Sequence, residues 1–119
     1  MITIRLPWPP KELSPNARVH WAKKAKATRH CWAYAFGAAY DSRAKLKGVD
    51  GPLDLWLTFN PPDRRKRDDD NLVAMFKGYR DGIAGALNID DSRFRLHVQR
   101  GEPTKGGEVV AVITEGEQQ

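Results

Sequence analysis

Four consecutive cations, Arg64, Arg65, Lys66 and Arg67, run directly into three carboxylates, Asp68, Asp69 and Asp70. A second acidic pair, Asp90–Asp91, stands about twenty residues later. A basic block attracts phosphate, whereas a carboxylate cluster repels it unless a divalent cation stands between them. The combination suits a chain that holds a nucleic-acid backbone and brings a metal to it, so the chemistry to expect is metal-dependent phosphodiester hydrolysis. Asp68 and Asp70 are two residues apart. In extended chain that spacing puts both side chains on one side and turns Asp69 away. Asp91, on a separate loop, supplies a third ligand if that loop folds back to the start of the following helix. Three carboxylates from two segments would hold one or two magnesium ions, which activate water and stabilise the leaving oxygen.

Other readings of these residues compete. A calcium loop of the EF-hand kind fails, because Leu72 stands where an oxygen ligand is needed and Val73 replaces the required glycine. Helix capping needs no ligand at all, since Asp68, Asp69 and Asp70 near a helix N-terminus are favoured by its dipole. Lys77 falls seven residues after Asp70, on the same side of a helix and two turns along. It can stabilise charge on a phosphate during cleavage, or simply pair with Asp81 at i+4. Arg64, Arg65, Lys66 and Arg67 are too dense to be buried; beside the acidic cluster they read as phosphate contacts, and alone as a solvated loop. No histidine has metal-ligand spacing with another candidate, and no nucleophilic serine or cysteine site is indicated.

The elements that must position these residues are legible from periodicity. Ile2, Ile4 and Leu6 alternate with Thr3 and Arg5 as a strand, ended by Pro7-Trp8-Pro9-Pro10. Trp8, in that proline-rich loop, is either a plug or a base-stacking residue. From His20 to Ala39 the spacing is helical: Trp21, Ala25, Thr28, Trp32, Ala35 and Ala39 form the face expected to be core, with Lys23, Lys26 and His30 opposite. That basic stripe is either a solvated face or a nucleic-acid contact. Leu53, Leu55, Leu57 and Phe59 give a second strand. A second helix begins near Asp70 or Asn71, with Leu72, Met75, Phe76, Tyr79, Ile83, Ala86 and Leu87 as its stripe and Asn88 as a left-handed stop. Gly78, Gly82 and Gly85 weaken its propensity, so packing must hold it. Phe94–Val98 and Val109–Thr114 complete the strands, and the polar tail Glu115–Gln119 is expected to fray. The order β-α-β-α-β-β predicts an α/β (α+β) fold, a mixed sheet with packed helices, in one domain spanning residues 1–119.

Composition sets the outer bounds. A net charge of +5 over 119 residues points to a polyanionic partner. One cysteine, Cys31, gives no disulfide framework and reads as a small core residue in a reducing cytoplasm. The longest apolar run, Trp32–Tyr40, is far short of the roughly 20 residues a membrane helix needs. No signal peptide is visible, and the expectation is a cytoplasmic protein without a membrane partner.

With those residues in view, the chain resembles the RusA-type Holliday junction resolvases, small endonucleases common in prophages. The likeness runs nearly end to end. It is carried by Leu6-Pro7-Trp8-Pro9-Pro10, by Pro62 through Asn71, by Asp90-Asp91 before a strand, by Thr104-Lys105-Gly106-Gly107, and by Ile113-Thr114-Glu115. The resemblance implies a magnesium-dependent homodimer that cuts four-way DNA junctions by paired symmetric incisions. It implies Asp68, Asp70 and Asp91 as the catalytic, metal-binding carboxylates, and adds Lys105 to the candidate DNA contacts Lys23, Lys26, Arg64, Arg65, Lys66 and Arg67. The family's helix lysine falls where this chain has Ala74, and Lys77 stands one turn further along. Two rivals remain open on the sequence: a non-catalytic basic DNA-binding module, and a nuclease acting on other branched nucleic acids.

Overall fold

Apolar residues at alternate positions build four strands, and two helical stripes cover them from one side. The computed structural model describes residues 1–116. The elements are β1 (Ile2–Pro7), α1 (Trp21–Ala39), β2 (Leu53–Asn60), α2 (Asp69–Leu87), β3 (Phe94–Arg100) and β4 (Glu108–Glu115), in the expected β-α-β-α-β-β order. Short 3-10 turns lie at Lys11–Leu13, Tyr40–Leu46 and Asp91–Arg93. Glu115 closes β4 instead of fraying; the end of the expected tail, 117–119, lies outside the described residues. No helix among the described residues is long and apolar enough to cross a membrane.

The sheet order is β1-β4-β2-β3. β4 runs antiparallel to both of its neighbours, while β2 and β3 are parallel. Parallel neighbours need a crossover, and α2 supplies it. Ile2, Ile4, Leu6, Leu53, Leu55, Leu57, Phe59, Val109, Ala111 and Ile113 face the helices and are almost wholly buried. The α2 stripe meets them as expected, with Leu72, Phe76, Tyr79 and Ile83 at 3% exposure or less. The Tyr79 hydroxyl donates to the Pro7 carbonyl at 2.9 Å, tying α2 to the end of β1. Asn88 ends α2 at φ 56° and ψ 48°, the left-handed stop its sequence suggests.

One expectation about α1 is corrected. Trp21 is 74% exposed and Trp32 41% exposed, so neither is core. The buried ridge of α1 is Cys31, Ala35 and Ala39. The reason lies in the glycines of α2. A Cβ at Gly78 would stand 3.1 Å from the Thr28 carbonyl, and one at Gly82 would collide with the Trp32 carbonyl. Backbones this close admit only small residues between them, which pushes the aromatics of α1 to the rim. There Trp32 stacks on Phe36, with ring centroids 5.0 Å apart.

Among the described residues, the other face of the sheet carries no helix. Its middle is closed by side chains: His97 meets Asp54 at 2.8 Å and stacks on Trp56 at 4.0 Å, and Trp56 Nε1 donates to Thr114 Oγ1.

Candidate functional site

The basic-acidic block bridges the end of β2 and the start of α2. Pro61 and Pro62 stop the strand, and Asp63 then organises the loop that carries the cations. Its carboxylate accepts the Arg65 N–H at 2.9 Å and pairs with the Arg67 guanidinium at 2.9 Å. The Arg65 N–H, together with the Arg67 and Arg65 guanidiniums, holds the Asp63 carboxyl below its usual range. Arg67 also donates to the carbonyls of Asp63 and Arg65 and lies over the Trp8 ring, 5.3 Å from its centroid. Its side chain is only 18% exposed. The expectation that all four cations face solvent therefore fails for Arg67, which braces the loop from within. Arg64, Arg65 and Lys66 are exposed; Arg64 and Arg65 make only loose contacts, 3.7 Å to Glu102 and Asp63. Trp8 is half-buried: it meets Phe59 edge-on at 6.1 Å and its Cβ crowds Gly107, while it also lines the groove.

Beside this loop a groove of about 650 Å³ opens against the first turn of α2. Lys11, Arg65, Lys66 and Arg67 line it with Trp8, Asn71 and Asp68. Lys105 is exposed on the Thr104–Gly107 turn, whose Gly107 backs onto Trp8. Lys23 and Lys26 are exposed on α1, as expected of a polar face.

The carboxylates divide into engaged and free. Asp69 is held by Arg100 Nε at 2.7 Å, and the same guanidinium donates to the Arg67 carbonyl. Asp68 is the N-cap of α2, yet its side chain makes no capping hydrogen bond. All three carboxylates stand at the helix start, where its dipole favours them, but no hydrogen bond from Asp68 caps it, and the helix keeps unsatisfied N–H groups toward the groove. Among the described residues neither Asp68 nor Asp70 has an ion pair or a hydrogen-bonded side chain. The extended-chain argument that aligned them is corrected, because α2 begins at Asp69 and places Asp70 in its first turn. Asp68 lines the groove; Asp70 is exposed just outside it.

Asp91 does not join them. Residues just before β3 lie at the opposite end of the sheet from those just after β2, since the two strands are parallel. Between them stands α2, 19 residues long and so roughly 28 Å from end to end. Asp91 follows α2 in the chain and lies beside its second half, 3.7 Å from Arg80, whose Nε is buried without a hydrogen-bond partner. Asp90 is spent on the turn itself: it accepts the Ser92 N–H at 2.9 Å, which lowers its pKa. Among the described residues no three His, Cys, Asp or Glu side chains are grouped to hold a metal. One chain alone therefore does not fit a three-carboxylate magnesium site. Lys77 is paired with Asp81 at 3.4 Å and lines a separate shallow pocket with Lys24.

Residues missed in the sequence include Asp63, Lys11 and Arg100. Arg100 left a signal: it continues the row Phe94, Leu96 and Val98 on the helix-facing side of β3, where a cation must find a partner.

No family model matches the chain. It is 50% identical over 119 residues to a protein of Xylella fastidiosa (strain Temecula1 / ATCC 700964) described as an uncharacterized protein, covering 96% of this chain and 76% of that one. The chain belongs to that protein's family. Family kinship of this extent covers nearly all of the sheet and helices, and the chemistry rests on the side chains just described.

Proposed function

We propose that the protein is a RusA-type, metal-dependent endodeoxyribonuclease that resolves branched DNA as a two-fold homodimer. The observation that carries this reading is the groove: exposed cations and an uncapped helix start, with Asp68 and Asp70 left unpaired while Asp69 between them is consumed by Arg100. Cations and free N–H groups suit a phosphate backbone. Unpaired carboxylates there are costly for DNA binding alone and suit a bound cation. A divalent ion would bring Lewis-acid chemistry to the phosphate. Within one chain Asp91 is paired with Arg80 and Asp69 is held by Arg100, so we assign the third ligand of Asp68 and Asp70 to Asp91 of a second copy. Paired incision calls for two-fold symmetry in any case.

The test is incubation with labelled four-way junction, linear duplex and flap DNA, with and without magnesium. Magnesium-dependent paired cuts in the junction are expected, and they should vanish in Asp68→Asn and Asp70→Asn while gel-shift binding persists. Tight junction binding without cleavage would instead favour the DNA-binding module, a reading helped by the lack of a three-carboxylate group in one chain. Preferential cutting of flaps would move the substrate to other branched nucleic acids.

A further inference from the structure

β3 is an edge strand guarded by charge, from Arg95 and Arg100, but by no proline, bulge or covering element among the described residues. Strand edges are commonly blunted by proline, by bulges or by a covering element. β3 contains no proline and pairs with β2 in unbroken register. Its helix-facing row is Phe94, Leu96, Val98 and Arg100, opposite the fully buried Leu53, Leu55, Leu57 and Phe59. Leu96 and Val98 nevertheless stay half-buried, because no described residue covers their outer side. The α2 flank above them, turned away from α1, shows the same incompleteness. Val73 is half-buried there, and Arg80 keeps a buried Nε donor with no acceptor.

The backbone sets which groups are on offer. The Gly101 N–H donates to the Phe59 carbonyl, so the odd-numbered residues of β3 bond toward β2. Leu96, Val98 and Arg100 therefore present their N–H and C=O groups outward. We propose that β3 pairs antiparallel with β3 of a second copy across a two-fold axis at His97, extending the sheet through the dimer. In that register Leu96 lies opposite Val98 of the partner, in hydrogen-bonded pairs, and both bury their open sides. Arg95 faces Gln99 of the partner and meets no second cation. The antiparallel sense also carries the Asp90–Asp91 turn of each copy past Arg100 of the other, so Asp91 reaches the end of β3 that adjoins Arg67 and the start of α2. The other apolar patch, the aromatic rim of α1, lies beside Gly85, near the end of α2 remote from the groove. Joining copies there would keep the two grooves far apart. This interface rests on the proposed homodimer and names the surface that forms it.

Cross-linking tests it directly. Residues at a two-fold, non-hydrogen-bonded position stand ~4.5 Å apart at Cα, within disulfide range. His97→Cys should give a disulfide-linked dimer on mild oxidation. The parent chain should not, since Cys31 is buried. Val98→Pro removes an outward N–H while leaving every bond to β2. It should raise the dimer dissociation constant at least ~10-fold in sedimentation equilibrium, two backbone hydrogen bonds being lost across the axis. A monomeric parent chain, or a dimer that survives Val98→Pro, fails to cross-link at residue 97 and is broken by Trp32→Lys, overturns the proposal. A cross-linked dimer that never cuts DNA would keep the interface and discard the nuclease. Cleavage by a dimer lacking the cross-link would do the reverse.

Discussion

From Asp63 to Asp70, residues of one chemical type serve different ends, and substitution should separate them. Arg67 is bonded to Asp63, to two carbonyls and to the Trp8 ring, so Arg67→Ala should cost about 2 kcal/mol of stability in urea titrations. Arg65 is exposed and loosely held. Arg65→Ala should leave stability unchanged, weaken DNA binding, and reduce the slope of log K against log salt by about one. Equal stability loss in both variants would contradict the division. The carboxylates make a pH prediction. Asp63, Asp54 and Asp90 have lowered pKa values, chiefly from the Arg65 N–H, His97 and the Ser92 N–H respectively. Each stays ionised in the folded protein at pH values where the unfolded chain is already protonated. Their contribution is thus complete above about pH 4 and is lost as pH falls below it. Melting temperatures should hold between neutrality and that point and then drop, less steeply in Asp63→Asn.

Between elements, the decisive contact is the close approach of α1 to α2. Gly82→Ala should destabilise by about 2 kcal/mol, because the new methyl meets the fixed Trp32 carbonyl. Gly85→Ala meets the edge of the Trp32 ring at 3.3 Å and the Phe36 ring at ordinary contact distance, 3.6 Å. The Trp32 ring can shift, and the gain in helix propensity, up to about 1 kcal/mol, should make the change neutral or stabilising. Denaturation midpoints of the pair decide this. The same contact shows what the sequence made legible. Alternating Leu and Ile positions and the Leu72–Leu87 stripe announced their elements because large side chains fill the core. The buried face of α1 is legible only in part: the spacing puts Cys31, Ala35 and Ala39 inside but Trp21 and Trp32 with them, because small residues packed against glycines leave a weak periodic signal. The candidate site was legible in the same uneven way. Asp68, Asp70 and the cations next to them were found from local spacing. The place of Asp91 depends on which way β3 runs, and no local spacing records that.

At the scale of the whole molecule, a site shared between copies has a signature of its own. Asp68→Asn and Asp91→Asn should each be inactive alone. Mixed, they form heterodimers in which one composite site carries both lesions and the other carries none. Single nicks should therefore return without paired cuts; a mixture as inactive as its parts would place all three carboxylates in one chain and sink the shared site. The sheet order has a consequence for biogenesis as well. β4, made after the other described strands, lies between β1 and β2, and among the described residues β1 has no other neighbour. A nascent chain that has emerged only as far as residue 107 holds a complete β2-α2-β3 unit and an unpaired first strand. Closure waits on residues 108–115, a long-range pairing of the slow-folding kind. Until then Ile2, Ile4 and Leu6 are open to the ribosome's chaperones, and stalled chains of that length should be cut by protease near their N-terminus before anywhere in α2.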